Sequence, residues 1–65
     1  MRGYVIKIYY DNGKFYGYKS YDVVNEDIRK AIIYLTKEMA ERVAKKNIAI
    51  PTEIIPIEIN EVTKG

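Results

Sequence analysis

The sequence predicts an α+β fold in which a small, mostly antiparallel sheet packs against one helix. Three observations support this prediction. Two β-rich runs flank an Asn-Gly pair, residues 25–46 contain apolar positions at helical spacing, and an isoleucine-rich run follows at 53–60. The chain has 65 residues, so we expect one domain, 1–65, with a thin core.

The composition excludes several ways of stabilising so small a domain. The chain has no Cys and no His, which rules out disulfides and argues strongly against structural zinc. The net charge of +2 is too small to indicate nucleic-acid binding by itself. The longest apolar run, 31–35, is far shorter than a membrane span, and the N-terminus shows no signal-peptide pattern. We therefore expect a cytoplasmic protein, in the host cytoplasm if it is viral, and no membrane partner.

A β-hairpin is the clearest local signal in the chain. The runs 4–10 and 14–19 are rich in β-branched and aromatic residues, and Asn12-Gly13 lies between them. Asn-Gly between two such runs is the strongest short-range hairpin signal, because Gly13 adopts a positive φ without steric cost.

Two registers of this hairpin remain open. A two-residue turn puts Phe15 and Lys19 on the face of the isoleucines of the first strand. A three-residue loop with its glycine as a bulge pairs Tyr9 with Phe15, and it puts Tyr16 and Tyr18 on the isoleucine face. One residue of slip exchanges the two faces. We favour the bulged form slightly, because it keeps Lys19 away from the core.

Residues 25–46 allow two interpretations. One is a single long helix, since apolar residues recur there at helical spacing. The other is a strand at 31–35, after which Thr36 caps a helix over about 37–46. The β-branched and aromatic residues of 31–35 are poor in a helix centre. Both alternatives remain open on the pattern alone.

The last predicted element is a strand over 53–60. Its Ile55, Ile57 and Ile59 share one face, and Glu58 and Asn60 take the other. Pro56 cannot donate to a ladder, so we expect an edge strand or a bulge at that position.

Residues 27–47 resemble a loose group of small, uncharacterised proteins of phages, prophages and other mobile elements. The resemblance lies in Ala31 and the aliphatic-aromatic run after it, in the helix start Thr36-Lys37-Glu38-Met39-Ala40, and in the helix end Ala44-Lys45-Lys46. In that group a Gly-turn strand pair comes first and an Ile/Val-Glu-rich strand comes last; Met39 stands where the pattern usually has Glu. The resemblance implies a strand at 31–35 and the order β-β-β-α-β. The order β-β-α-β, with one long helix over 25–46, is the alternative.

The sequence contains few side chains that could form a catalytic site. Without Cys and His the usual nucleophilic triads cannot be built. The pairs Glu26/Asp27 and Glu38/Glu41 have the chemistry for acid–base work or for a divalent cation, but on so short a chain we expect them to form solvated surface. We therefore predict no enzyme activity, no cofactor and no metal site.

The seven tyrosines exceed what a small core needs, so some of them must lie on an open face near lysines. The candidates for an interface or for nucleic-acid binding are Lys7, Tyr9, Tyr16, Tyr18 and Lys19. Tyr is enriched in protein interfaces, whereas aromatic rings beside lysines also suit single-stranded nucleic acid. We expect a non-catalytic accessory protein of a phage, virus or mobile element that acts by protein contact, with itself as a homodimer or with a host protein. A small nucleic-acid-binding module is the alternative.

Overall fold

In the computed structural model, residues 2–58 form one four-stranded antiparallel sheet and one α-helix, and these are the residues that the structure describes. The strands lie in the order β3-β2-β1-β4. The α+β fold is therefore confirmed. The elements are β1 (Arg2–Tyr9), β2 (Phe15–Ser20), β3 (Val23–Asn25), a 3₁₀ turn (Ile28–Lys30), α1 (Lys37–Asn47) and β4 (Thr52–Glu58).

The order β-β-β-α-β is confirmed, but its third strand lies at Val23–Asn25 and not at 31–35. Residues 31–35 make two isolated bridges, in which Ala31 pairs with Ser20 and Tyr34 pairs with Tyr4. The Tyr4 and Tyr34 N–H groups each donate to the other residue's carbonyl oxygen at 2.8 Å. This segment contacts β2 at one point and β1 at another, which is too little contact with either strand to form a ladder.

The helix begins where the capping pattern predicts. The Thr36 hydroxyl oxygen accepts a hydrogen bond from the Met39 N–H at 3.1 Å, as an N-cap does. Glu38 lies in the first turn and Lys45 and Lys46 lie in the last, which suits the helix dipole. A single helix over 25–46 is therefore wrong.

The hairpin loop has three residues, as the favoured register predicts. The Gly13 N–H donates to the Tyr10 carbonyl at 2.8 Å, and the Tyr10 N–H donates to the Lys14 carbonyl at 2.8 Å. Gly13 has a φ of +87°, and Tyr9 pairs with Phe15.

A second irregularity in β2 changes the faces beyond that point. Ile8 pairs with Gly17, so Tyr16 is an extra residue in β2, which is a β-bulge. Tyr18 consequently lies on the face opposite the isoleucines of β1, and Lys19 lies on the isoleucine face. The predicted faces of Tyr18 and Lys19 were wrong.

The core lies between β1, β4 and α1. Its fully packed members are Ile6 and Ile8 of β1 and Ala40 and Ala44 of α1. The small alanine side chains let the helix approach the sheet closely. Partly buried residues surround them: Tyr4, Tyr16, Val24, Tyr34, Val43, Ile48, Ile50 and Ile54.

Within the described residues β4 is an edge strand, as Pro56 predicts. The Tyr9 N–H donates to the Pro51 carbonyl at 2.9 Å, and bonding alternates along an antiparallel pair. Every second residue after Pro51 therefore bonds to β1, and Pro56 is among those that point outward, where its missing N–H breaks no ladder bond. Ile55 and Ile57 share the face opposite α1, whereas Glu58 lies on the other face. The predicted positions of Ile59 and Asn60 lie outside the described residues.

Candidate functional site

The structure divides the five predicted site residues between the two faces of the sheet. Lys7, Tyr9 and Tyr18 lie together on the side opposite α1. Tyr16 and Lys19 lie on the side of α1. We call the cluster on the side opposite α1 the distal face, and its residues are Lys7, Tyr9, Phe15, Tyr18 and Glu53.

Lys7 is the centre of the distal face. Its Nζ lies 5.4 Å from the ring centroid of Tyr9 and 5.4 Å from that of Phe15, within the range of cation–π attraction. The rings of Phe15 and Tyr18 meet edge to face, with centroids 5.4 Å apart and an interplanar angle of 63°. The cation and three aromatic rings therefore form one connected surface, on which Phe15 is 42% exposed.

Glu53 places a carboxylate at the edge of this surface. The Tyr9 hydroxyl donates to Glu53 Oε1 at 2.7 Å. This hydrogen bond is the main reason why the pKa of Tyr9 lies above its ordinary value, while Lys7 acts in the opposite direction. Glu53 is also the direct partner of Lys7 in the β1–β4 ladder, so the distal face has one cation and one anion side by side.

Sequence reasoning missed Phe15 and Glu53 as members of this surface. Phe15 had a local signal, because the favoured hairpin register pairs it with Tyr9, which was among the predicted site residues. Glu53 had none, since its place beside Lys7 depends on the register between β1 and β4, which lie far apart in the sequence.

Tyr16 and Lys19 line a groove on the other side of the sheet. The Tyr16 ring stacks on Tyr10, with centroids 4.4 Å apart and an interplanar angle of 17°. Lys19 is half-buried, and its Nζ donates to the Ser20 carbonyl at 3.3 Å. α1 packs against β1 and β4, which leaves the groove open between β2–β3 and the segment 48–50.

The acidic pairs form no shared site in the described part of the chain. Asp27 binds Arg29 through two side-chain hydrogen bonds of 3.1 and 2.9 Å and accepts from the Arg29 N–H at 2.9 Å. Arg29 thereby holds the pKa of Asp27 below its ordinary value. Glu38 and Glu41 are exposed on α1. Residues 2–58 contain no cluster of three or more carboxylates that would hold a metal ion.

Few apolar side chains in the described part of the chain are fully buried. Within residues 2–58 the buried apolar set contains only one Val, two Ile and three Ala. The exposed large apolar and aromatic side chains are Tyr10, Phe15, Tyr21, Val23, Ile28, Ile33, Leu35 and Met39.

Searches of protein-family models, of curated proteins and of solved structures find no match to this chain. Among residues 2–58, α1 is the longest helix at 11 residues, and neither helical segment there is long and apolar enough to cross a membrane.

Proposed function

We propose that this chain is a non-catalytic module that acts by protein–protein contact through its distal face, and that a second copy of the chain is its first partner. The observation that supports this most directly is the arrangement of Tyr9, Phe15 and Tyr18 around Lys7 on the side of the sheet opposite α1. Aromatic residues that are already fixed in position bring contact area at little cost in side-chain entropy.

The charges of the distal face favour a second copy as the partner. Lys7 and Glu53 are neighbours across β1 and β4. A two-fold axis that runs along the strands between β1 and β4 would set each Lys7 opposite Glu53 of the partner subunit. Two pairs of opposite charges would then lie beside the axis at the centre of the contact, with the aromatic rings of each copy on the outer side of them. A contact between identical surfaces needs such self-complementarity.

The resemblance of residues 27–47 to small proteins of mobile elements supports the biological setting that we propose. In that setting the chain is an accessory protein of a phage, virus or mobile element and works in the cytoplasm of the host cell. Binding to a host defence or replication protein, one to one, is the form of action that follows if the partner is not a second copy.

Nucleic-acid binding is the alternative, and Lys7 beside three aromatic rings supports it. Two observations count against it. Glu53 places a carboxylate next to Lys7, and Tyr16 and Lys19 lie on the other face, so the distal face has fewer cations than the sequence pattern suggests. Phosphate binding relies on several cations that act together.

Radical footprinting of the aromatic side chains tests the proposal. Phe15 and Tyr18 report on the distal face, and Tyr21, which is 87% exposed, is the matched control at the β2–β3 turn. The protein is labelled in a dilution series, in an extract of the expressing cells, and with a single-stranded oligonucleotide at several salt concentrations. We expect protection of Phe15 and Tyr18, but not of Tyr21, that increases with protein concentration.

The other outcomes separate the alternatives. Protection that appears only in the extract, and that protease treatment of the extract abolishes, would mean that the distal face binds another protein and not a second copy. Protection by the oligonucleotide that disappears with salt would support the nucleic-acid alternative. If the labelling of Phe15 and of Tyr18 does not change between any of these conditions, the proposed function is contradicted.

A further inference from the structure

We infer that the groove between β2–β3 and the segment 48–50 is a binding site for a small molecule with an apolar body and one acidic group, which Lys19 holds. This site is independent of the distal face, because it lies on the other side of the sheet. Its volume is about 530 Å³, within the range of small-molecule sites. Its lining consists of Ile8, Tyr16, Lys19, Val23, Val24, Asn47, Ile48, Ala49 and Ile50.

The groove exists because the sheet is wider than the helix that covers it. α1 packs on β1 and β4, and the chain leaves the helix at Asn47 and returns toward β4 through 48–50. Ile48 and Ile50 pack against the core and form one wall of the groove. Val24 packs against the core from the opposite side and forms the other wall. Both of these walls of the groove are therefore apolar.

Lys19 is the charge that determines the class of ligand. It is the single ionisable side chain apart from Tyr16 among the lining residues, and no carboxylate of residues 2–58 lies within 4.0 Å of its Nζ. The Lys19 Nζ donates a long hydrogen bond, 3.3 Å, to the carbonyl of its own neighbour Ser20. A half-buried ammonium group with spare donors favours an anion beside it.

The end of α1 indicates how the ligand lies. The C-terminal end of a helix has partial negative charge, and Asn47 at that end lines the groove. An acidic group is therefore expected beside Lys19 and away from Asn47. The apolar body then lies along the isoleucines of segment 48–50.

The rim of the groove contains a strained residue. Val23 has a φ of +124°, which is a true outlier for a β-branched residue. Such strain is found where the surrounding structure holds a ligand-binding segment in place. Val23 is 66% exposed, so packing of its own side chain does not explain why the chain accepts this conformation.

Titration with dodecanoate, followed by amide chemical shifts, tests the inference. We expect shifts that concentrate on the groove residues and saturate with one bound molecule. We expect Lys19→Gln to weaken binding by about tenfold, the loss of about one charge-assisted hydrogen bond. Lys7→Gln, which removes a cation from the distal face, is the matched control and should leave the affinity within about twofold, well below that effect.

Dodecanol, which keeps the apolar body and lacks the acid, separates the two parts of the site. It should bind more weakly than dodecanoate to the wild type, and equally to the wild type and Lys19→Gln. Shifts that map to the distal face, equal loss in the Lys7 and Lys19 variants, or no saturable shifts would each overturn the inference. Unchanged amide spectra of the free variants show that they are folded.

Discussion

A Cβ atom on Gly17 would lie 2.5 Å from Val24 Cγ1, closer than real Cβ contacts allow. Gly17 pairs with Ile8 in the middle of the sheet, and the missing side chain lets Val24 of β3 cover that position and reach the core. The glycine therefore determines how closely β3 folds over β2.

Gly17→Ala should destabilise the protein by about 1–3 kcal/mol, the usual cost of overpacking. The measurement is the free energy of unfolding in urea. Val24→Ala in the same chain should restore part of the loss, so the two substitutions should couple by at least about 0.5 kcal/mol in a double-mutant cycle. Strictly additive effects would show that Gly17 and Val24 do not meet.

Val23→Gly should stabilise the protein by about 1 kcal/mol. Relief of a positive φ at a β-branched residue is worth about 1–3 kcal/mol, and glycine costs about 0.5–1 kcal/mol in entropy. Val23→Ala, which keeps a Cβ and the strain, is the matched control and should not stabilise. If the two variants unfold at the same urea concentration, Val23 does not have the positive φ in solution.

Thr36→Ala should destabilise the protein by about 0.5–2 kcal/mol, because the Met39 N–H loses its partner at the helix start. Thr36→Ser keeps the hydroxyl and should remain close to the wild type. Urea unfolding followed by circular dichroism gives both values. No loss in the alanine variant would mean that the helix continues through Thr36, as the long-helix alternative has it.

Glu53→Gln should lower the pKa of Tyr9 toward its ordinary value, since the hydrogen bond to Glu53 is the main cause of the increase. A pKa that folding raises adds stability below the unfolded pKa of about 10, and this stability is lost as pH rises through the folded pKa. Tyrosinate absorbance as a function of pH measures the change in pKa. The Tyr9→Phe variant shows which part of the absorbance change belongs to Tyr9.

Tyr34 provides the internal control in the same titration. Its pKa is also raised, chiefly by burial and then by Tyr21, and Glu53 plays no part in that. In Glu53→Gln the absorbance that appears at high pH should therefore lose the contribution of Tyr9 and keep that of Tyr34. Identical titration curves for the variant and the wild type would contradict the Tyr9–Glu53 hydrogen bond.

Pro56→Ala should change stability by less than about 0.5 kcal/mol, because the N–H at this position points away from β1. Ile55→Pro should cost at least about 1 kcal/mol more than Ile55→Ala, since it removes an N–H that points toward β1. Urea unfolding of the wild type and the three variants tests whether N–H groups that point toward β1 and away from it alternate along β4. Equal costs for Ile55→Pro and Ile55→Ala would mean that the register of β4 is shifted by one residue.

The sequence predicts best the features that depend on a few neighbouring residues. The loop around Gly13 follows from the conformational freedom of glycine, and the helix start follows from the Thr36 cap. The edge position of β4 follows from Pro56. Each of these is a local rule that the rest of the fold does not override.

The sequence predicts least well the features that depend on contacts between residues far apart in the chain. β3 begins at Val23 in a conformation that no propensity favours, whereas residues 31–35 have strong β propensity and contact the sheet at only two points. The bulge at Tyr16 places Tyr18 on the distal face and Lys19 in the groove. The candidate site was therefore predicted in part: Lys7, Tyr9 and Tyr18 lie together, and Glu53 could not be found without the β1–β4 register.

The solution mass of the purified protein across a concentration series tests the central claim most directly. We predict that the 7.6 kDa chain moves to twice this mass as concentration rises. Phe15→Ser should remain a monomer, and Tyr21→Ser should associate like the wild type. Lys7→Glu and Glu53→Lys should each associate weakly and should recover association when mixed. A wild type that stays monomeric throughout, or a Phe15 variant that associates as well as the Tyr21 variant, would contradict self-contact through the distal face.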